Sequence, residues 1–402
     1  MLFGLRKSSE TVNGLKPFWV VCVTHMFVEV YYLTQVALIP VFISEFNLSL
    51  LEASLVATVP GIVQLLANLP SGLITGRFTT KQLLFTSMVT EGLAALLVSK
   101  AMNFWILLLG ISAMRLCSPI YHISGLSYIS QIIEREKMNR SMGFHNALGS
   151  FGSAIGLIIL SIFLSTEGWR WSYVFWALPM LIWGFVILRS GELEIRSSDG
   201  DEFGKIPRYS RLPSSAFLIF LVATGLRAVG YSGAQTYMAV YLVGTRGFSE
   251  SAASLIFGFG TFAGIIGSLN GGYLGEKVGA KKALSLAIIC SAISLFVLGL
   301  LSQRHLLVVA YLAYAFFSSS IWSPMNSLVA DITPKEGRGM SYSVYFFTEG
   351  LVVSVTPTIA ATLIGLSEIW FVFPFSVAFF TSSLIVLQFL SCSTKTSTIE
   401  EV

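Results

Sequence analysis

A few ionisable side chains lie inside stretches of sequence that are otherwise apolar, and their types limit the chemistry available. His25 and Glu29 are four residues apart, so on a helix an imidazole sits one turn from a carboxylate, with Tyr32 on the next turn of the same face. Such a pair can share one proton and titrate as a unit, because imidazole changes charge near neutral pH. Arg115 and His122 lie seven apart, Arg227 has Tyr231 four residues on, and His145 adjoins Asn146. Glu91 and Glu349 are the remaining buried-type acids. An arginine fork suits a carboxylate or a phosphate. The acids Glu29, Glu91 and Glu349 nearly balance the arginines and histidines, so an anionic solute and a neutral one read by a salt-bridged site both stay open. Glu91 reads equally well as a structural partner of Arg115. His145 serves a gate or packing, and His305 belongs to an external surface.

These residues need elements to carry them, and composition says which. Hydrophobic residues make up 54% of the chain and charged residues 11%, less than half the charged share of an ordinary soluble domain. The chain reads as apolar runs of roughly 20 to 30 residues, each long enough to cross a hydrocarbon core of about 30 Å. In lipid only a helix satisfies its own backbone, and the short alternating strands of a barrel are absent. Spans are expected at 17–43, 51–76, 83–99, 103–133, 142–164 and 169–188. Six more follow at 216–243, 252–274, 283–301, 305–330, 340–364 and 369–390. A charge at mid-span costs at least about 2.5 to 3.5 kcal/mol, so each one needs a partner or a wet cavity.

The expected organisation is a cytoplasmic segment 1–16, a six-helix bundle 17–188, a polar linker 189–213, a second bundle 214–390 and a tail 391–402. The loops expected outside hold only Lys100, Arg170, Arg246 and Arg304 of the 25 Lys and Arg, which puts both termini and the linker in the cytoplasm. No removable signal peptide is expected before the first span. The cysteines Cys22, Cys117, Cys290 and Cys392 form no CxxC pair and read as reduced packing residues. Asn47-Leu48-Ser49 matches a glycosylation acceptor by chance and is given no role.

The two bundles echo each other. Leu69 to Lys81 reappears at Leu269 to Lys281, aligning Gly72 with Gly272, Arg77 with Lys277 and Lys81 with Lys281. Arg140-Ser141-Met142 pairs likewise with Arg338-Gly339-Met340, and Gly152 with Gly350. A duplicated six-helix unit follows. Gly272-Tyr-Leu-Gly-Glu276-Lys277-Val-Gly279-Ala-Lys281-Lys282 resembles the signature loop of the major facilitator superfamily, and the first-half copy departs from it at Gly76 and Thr79. Gly168-Trp169-Arg170-Trp171 and the Gly149, Gly152, Gly156 face resemble further family elements. Pro119-Ile-Tyr121-His122, with Arg140 and Gly143, is similar to fosmidomycin-resistance-type efflux proteins over a short stretch.

The resemblance implies twelve helices in two pseudo-symmetric bundles, with helices one, four, seven and ten lining a central cavity. On that basis Glu29, Tyr32, Arg115, His122, Arg227, Tyr231, Trp322 and Asn326 are expected at the substrate site. His25, Glu29 and Glu349 are the expected proton carriers, and Gly72, Arg77, Gly272, Glu276, Lys277, Gly279 and Lys281 the expected gating loops. The expected activity is secondary transport of a small organic solute, proton-coupled, by a monomer in the cytoplasmic membrane; a uniporter or exchanger of an organic anion is the alternative. No GxxxxGK[ST] motif supports a pump and no HExxH pair a metalloenzyme. No cofactor, metal or nucleic-acid partner is expected.

Overall fold

The computed structural model describes residues 15–75, 77–133, 138–190, 193, 214–333 and 338–390. The segment 1–14, most of the linker, the tail from 391, Gly76 and the surroundings of Gly72 lie outside the described residues. The described chain is helical, with twelve helices long and apolar enough to cross a membrane. Those of the first bundle are Pro17–Ala37, Leu50–Asn68, Thr80–Ser99, Phe104–Ile129, Ser141–Ser165 and Trp169–Arg189. Those of the second are Ser215–Thr245, Glu250–Val278, Ala280–Leu300, Arg304–Ile332, Ser341–Gly365 and Ile369–Gln388. They are called spans one to twelve below.

Two spans that read as continuous helices are broken. Span one runs as helix over Leu15–Glu29, unwinds, and resumes as Thr34–Ala37 and Ile39–Phe46. Pro40 explains the second interruption, because it has no N–H for Val36 and its ring crowds that carbonyl. The first interruption has no proline. Side chains stabilise it by replacing lost backbone donors: Ser153 Oγ donates to the Glu29 carbonyl at 3.0 Å, Thr34 Oγ1 to Val30 at 3.0 Å and Arg115 Nη2 to Tyr32 at 2.6 Å. Span ten breaks between Arg304–Ser319 and Trp322–Ile332, where Pro324 frees the carbonyl of Ser320 four residues before it. Each break rests on a glycine face. A Cβ on Gly152 or Gly156 of span five would overlap the carbonyl oxygens of Met26 and Val30, and one on Gly267 or Gly271 of span eight those of Phe316 and Ser320. Span seven loosens too, ending in a π-helical turn at Tyr241–Thr245.

The halves meet where span two packs on span eleven and span five on span eight. Among the described residues, the hydrogen bonds between halves all lie toward one end of the spans, the end away from Leu15 and Leu390. Ser54 and Thr58 meet the Thr358 hydroxyl at 3.1 and 2.9 Å. Ser161 and Ser251 hydroxyls lie 3.0 Å apart, and Ser254 donates to the Leu157 carbonyl at 2.8 Å. At that same end Asn47 ends a helix in the left-handed conformation, and Ser49 and Glu52 cap the next one, so the Asn47-Leu48-Ser49 triplet forms a tight turn. Glu45, at the end of span one, is gripped by Arg170 at 2.5 Å and by the Trp169 indole at 2.6 Å, which gives the Gly168-Trp169-Arg170 motif an anchoring task.

Candidate functional site

A cavity of ≈ 320 Å³ lies between the halves, walled by spans one, two, four, seven, ten and eleven. Its size falls at the lower end of small-molecule sites. Tyr32, Arg115, Tyr231, Trp322 and Glu349, all expected at a functional site from sequence, are on its wall. Sequence reasoning missed four amides on the same wall, Gln35, Gln64, Asn68 and Gln235. Amides inside apolar spans are a readable signal, since hydrocarbon disfavours them unless they meet a partner or a solute.

Arg115 is positioned by the break in span one. Its Nη2 donates to Tyr32, its Nε faces the Gln35 side-chain amide at 2.9 Å and donates to it when the amide turns its oxygen toward the guanidinium, which lies 4.7 Å above the Tyr32 ring. Among the described residues no carboxylate is within ion-pairing distance of it. Glu91 does not pair with it either; that acid is buried, and its Oε2 has no hydrogen-bond partner among the described residues.

Arg227 is placed differently from its expected counterpart. It is 1% exposed, off the cavity wall, and ion-paired with Glu349. The rings of Trp322 and Tyr231 lie 5.4 and 5.7 Å from its guanidinium, between it and the cavity. Its Nε and Nη1 have no acceptor among the described residues. Asn326 is also off the wall, its carbonyl accepting from the Tyr342 hydroxyl at 2.7 Å.

Beneath Arg115 in the first bundle, the acid and the histidines converge. Glu29 ends the first helical piece of span one, and its Oε1 is 3.3 Å from His122 Nε2 and 3.6 Å from His25 Nε2. The i, i+4 spacing announced His25; His122 comes from span four and was assigned to the solute instead. The rings of His25, Tyr121 and His145 lie nearly parallel in one cluster, His25 at centroid distances of 5.3 Å from Tyr121 and 4.0 Å from His145. His25 Nδ1 donates to the His145 carbonyl at 2.9 Å. That bond fixes the tautomer: in neutral His25 the Nε2 facing Glu29 is a bare lone pair. Tyr121 gives its one proton to the Val21 carbonyl at 2.9 Å, so His145 Nε2, 2.8 Å away, donates to the phenol oxygen. His145 is thus built into this network by Tyr121, and its Nδ1 lies 3.2 Å from the Asn146 amide. The donor atoms of His25, Glu29 and His122 lie within 4.8 Å of one another, which is also the spacing of a three-ligand metal site. His305 is exposed.

The loop residues differ in their engagements. Lys281 Nζ donates to the carbonyls of Gln388 at 3.2 Å and Leu390 at 2.7 Å, holding the end of span twelve within its own half. Lys277 lies 5.8 Å over the Tyr273 ring, and Glu276 and Arg77 are exposed. Gly279 takes a φ of +89°, a turn that only glycine adopts without strain.

The sequence profile of the Major Facilitator Superfamily matches residues 21–357 and again 220–393. A probable sugar efflux transporter of Haemophilus influenzae is 23% identical over 356 residues, covering 86% of this chain and 84% of that one. The sialic acid transporter NanX of Escherichia coli is 24% identical, covering 86% and 85%. In structure, a bacterial homolog of the human lysosomal transporter Spinster, solved inward-facing and unoccupied, superposes with a TM-score of 0.73 at 12% identity over 95% of each chain.

Proposed function

Because this chain belongs to the major facilitator superfamily, we propose that it carries a small organic solute across the cytoplasmic membrane by alternating access, driven by protons that load at Glu29. One relative is named as a probable sugar efflux transporter and another as a sialic acid transporter, and the chain spans most of their length. In the orientation that the bias of basic loops favours, with the termini cytoplasmic, the hydroxyl contacts at Ser161, Ser251 and Thr358 close the outer side of the cavity.

One observation carries the coupling: Glu29 faces two imidazole nitrogens, one with its tautomer fixed by a backbone carbonyl. With His25 neutral, an ionised Glu29 can accept only from His122, since the His25 Nε2 that faces it carries a lone pair; a proton arriving on either Glu29 or His25 Nε2 gives the pair the donor it lacks. The trio therefore has a built place for an added proton, and the break at Val30 sits directly beside it. A movement that reshapes the break alters the carboxylate's distances to both rings, and with them its proton affinity. Glu349 is the second candidate, and protonating it would release Arg227.

The test uses purified protein in liposomes. Glu29→Gln should abolish accumulation driven by a pH gradient while leaving solute exchange at equal pH intact, because exchange needs no net proton movement. If both Glu29→Gln and Glu349→Gln still concentrate solute down a proton gradient, the protein is a uniporter or exchanger.

A further inference from the structure

We propose that the solute is a small carboxylate bearing several hydroxyl groups, its carboxylate bound by Arg115 and its hydroxylated body held by amides of both halves against Trp322. The inference builds on the transport reading above. Its first ground is charge. The charged groups on the cavity wall among the described residues are Arg115 and Glu349, and Glu349 is already matched by Arg227. Among the described residues no carboxylate contacts Arg115, and Glu91 acts on it only from beyond ion-pairing distance and off the wall, so the wall presents one cation with no contacting counter-ion. An anionic solute supplies the missing charge, and a neutral one does not.

Geometry agrees. Arg115 is held in plane by Tyr32 and Gln35 through Nη2 and Nε, which leaves Nη1 uncommitted. A guanidinium fixed before the solute arrives loses little side-chain freedom on binding. The opposite wall carries no free charge among the described residues. It offers Gln235, Ser232 and Thr236 from span seven and Ser354 from span eleven, while Gln64 and Asn68 come from span two. Amides donate and accept at once, which suits hydroxyl groups that do the same. Trp322 and Tyr231 add flat apolar faces for the carbon skeleton. A purely apolar carboxylate would leave those amides unmatched, at a cost per buried group.

Full-length protein is assayed for binding of D-glucuronate, D-glucose and butyrate, then for counterflow of each in liposomes. D-glucuronate should bind at least about tenfold tighter than either of the others. Arg115→Gln should erase its margin over D-glucose, with Arg115→Lys intermediate. Glucose binding as tightly as glucuronate, butyrate binding as tightly as glucuronate, or no binding of any of the three overturns the inference. The wild-type comparison decides this even if Arg115 variants fold poorly for want of the donor to Tyr32. The transport reading fails separately, by binding of glucuronate without counterflow. Counterflow of glucose in preference to glucuronate leaves transport standing and refutes the solute class.

Discussion

Removing one member of the Arg227–Glu349 pair should unsettle this protein more than removing both. The side chains are 1% and 6% exposed, and among the described residues Arg227 has no acceptor besides Glu349, its Nε and Nη1 having none. Glu349→Leu therefore strands a buried guanidinium, a loss of about 3 to 5 kcal/mol. Contacts with Trp322 and Tyr231 are present before and after the change and cancel. The expected destabilisation is therefore about 3 to 5 kcal/mol. At roughly 1.2 °C per kcal/mol for a chain this large, the melting temperature in detergent should drop by about 5 °C. Arg227→Met combined with Glu349→Leu leaves no stranded charge and should recover most of the drop, to within about 2 °C of wild type. The four proteins form a double-mutant cycle, and a coupling of about 2 kcal/mol or more is expected. Strictly additive losses would refute the view that these two groups exist chiefly as each other's partner.

Three further outcomes follow from the packing. Gly152→Ala, whose new methyl meets the Met26 carbonyl, should cost about 1 to 3 kcal/mol and lower the yield of monodisperse protein, whereas Gly143→Ala, with open space around it, should be neutral in the same chromatographic assay. A Ser161→Cys/Ser251→Cys disulfide, joining hydroxyl positions 3.0 Å apart, should hold the end away from Leu15 and Leu390 closed and stop transport, with recovery on reduction; undiminished transport when cross-linked would remove that end from the gating cycle. Lys281→Ala should free the carbonyls at the end of span twelve and raise amide exchange around Gln388 and Leu390, while exchange in span two stays as it was.

What the sequence revealed depends on how local each feature is. Twelve spans were legible because lipid demands long apolar helices, and a hydropathy window reads length and composition directly. The His25–Glu29 pair was legible because one helical turn separates them. His122 could not be joined to that pair, since it arrives from another span, nor could Glu349 be joined to Arg227, 122 residues away. Span one read as one helix because no proline marks the break at Val30. The donors that stabilise the unwound turn come mainly from Arg115 and Ser153, and only the tertiary arrangement brings them there. The Gly149, Gly152, Gly156 face was visible as a pattern, but the backbone it admits, at Met26 and Val30, was not. The amides Gln35, Gln64, Asn68 and Gln235 stand in the sequence on three separate stretches of two halves, and only the cavity brings them to one wall.

Proton coupling at Glu29 is the central claim, and the flux of protons driven by solute alone tests it most directly. A pH-sensitive dye sealed in liposomes reports lumenal pH when a solute gradient is imposed with no initial pH difference. Wild-type protein should shift lumenal pH as solute moves, and Glu29→Gln should move solute with no shift. Solute movement by the wild-type protein with no accompanying pH change, or an unaltered pH change with Glu29→Gln, would contradict that claim.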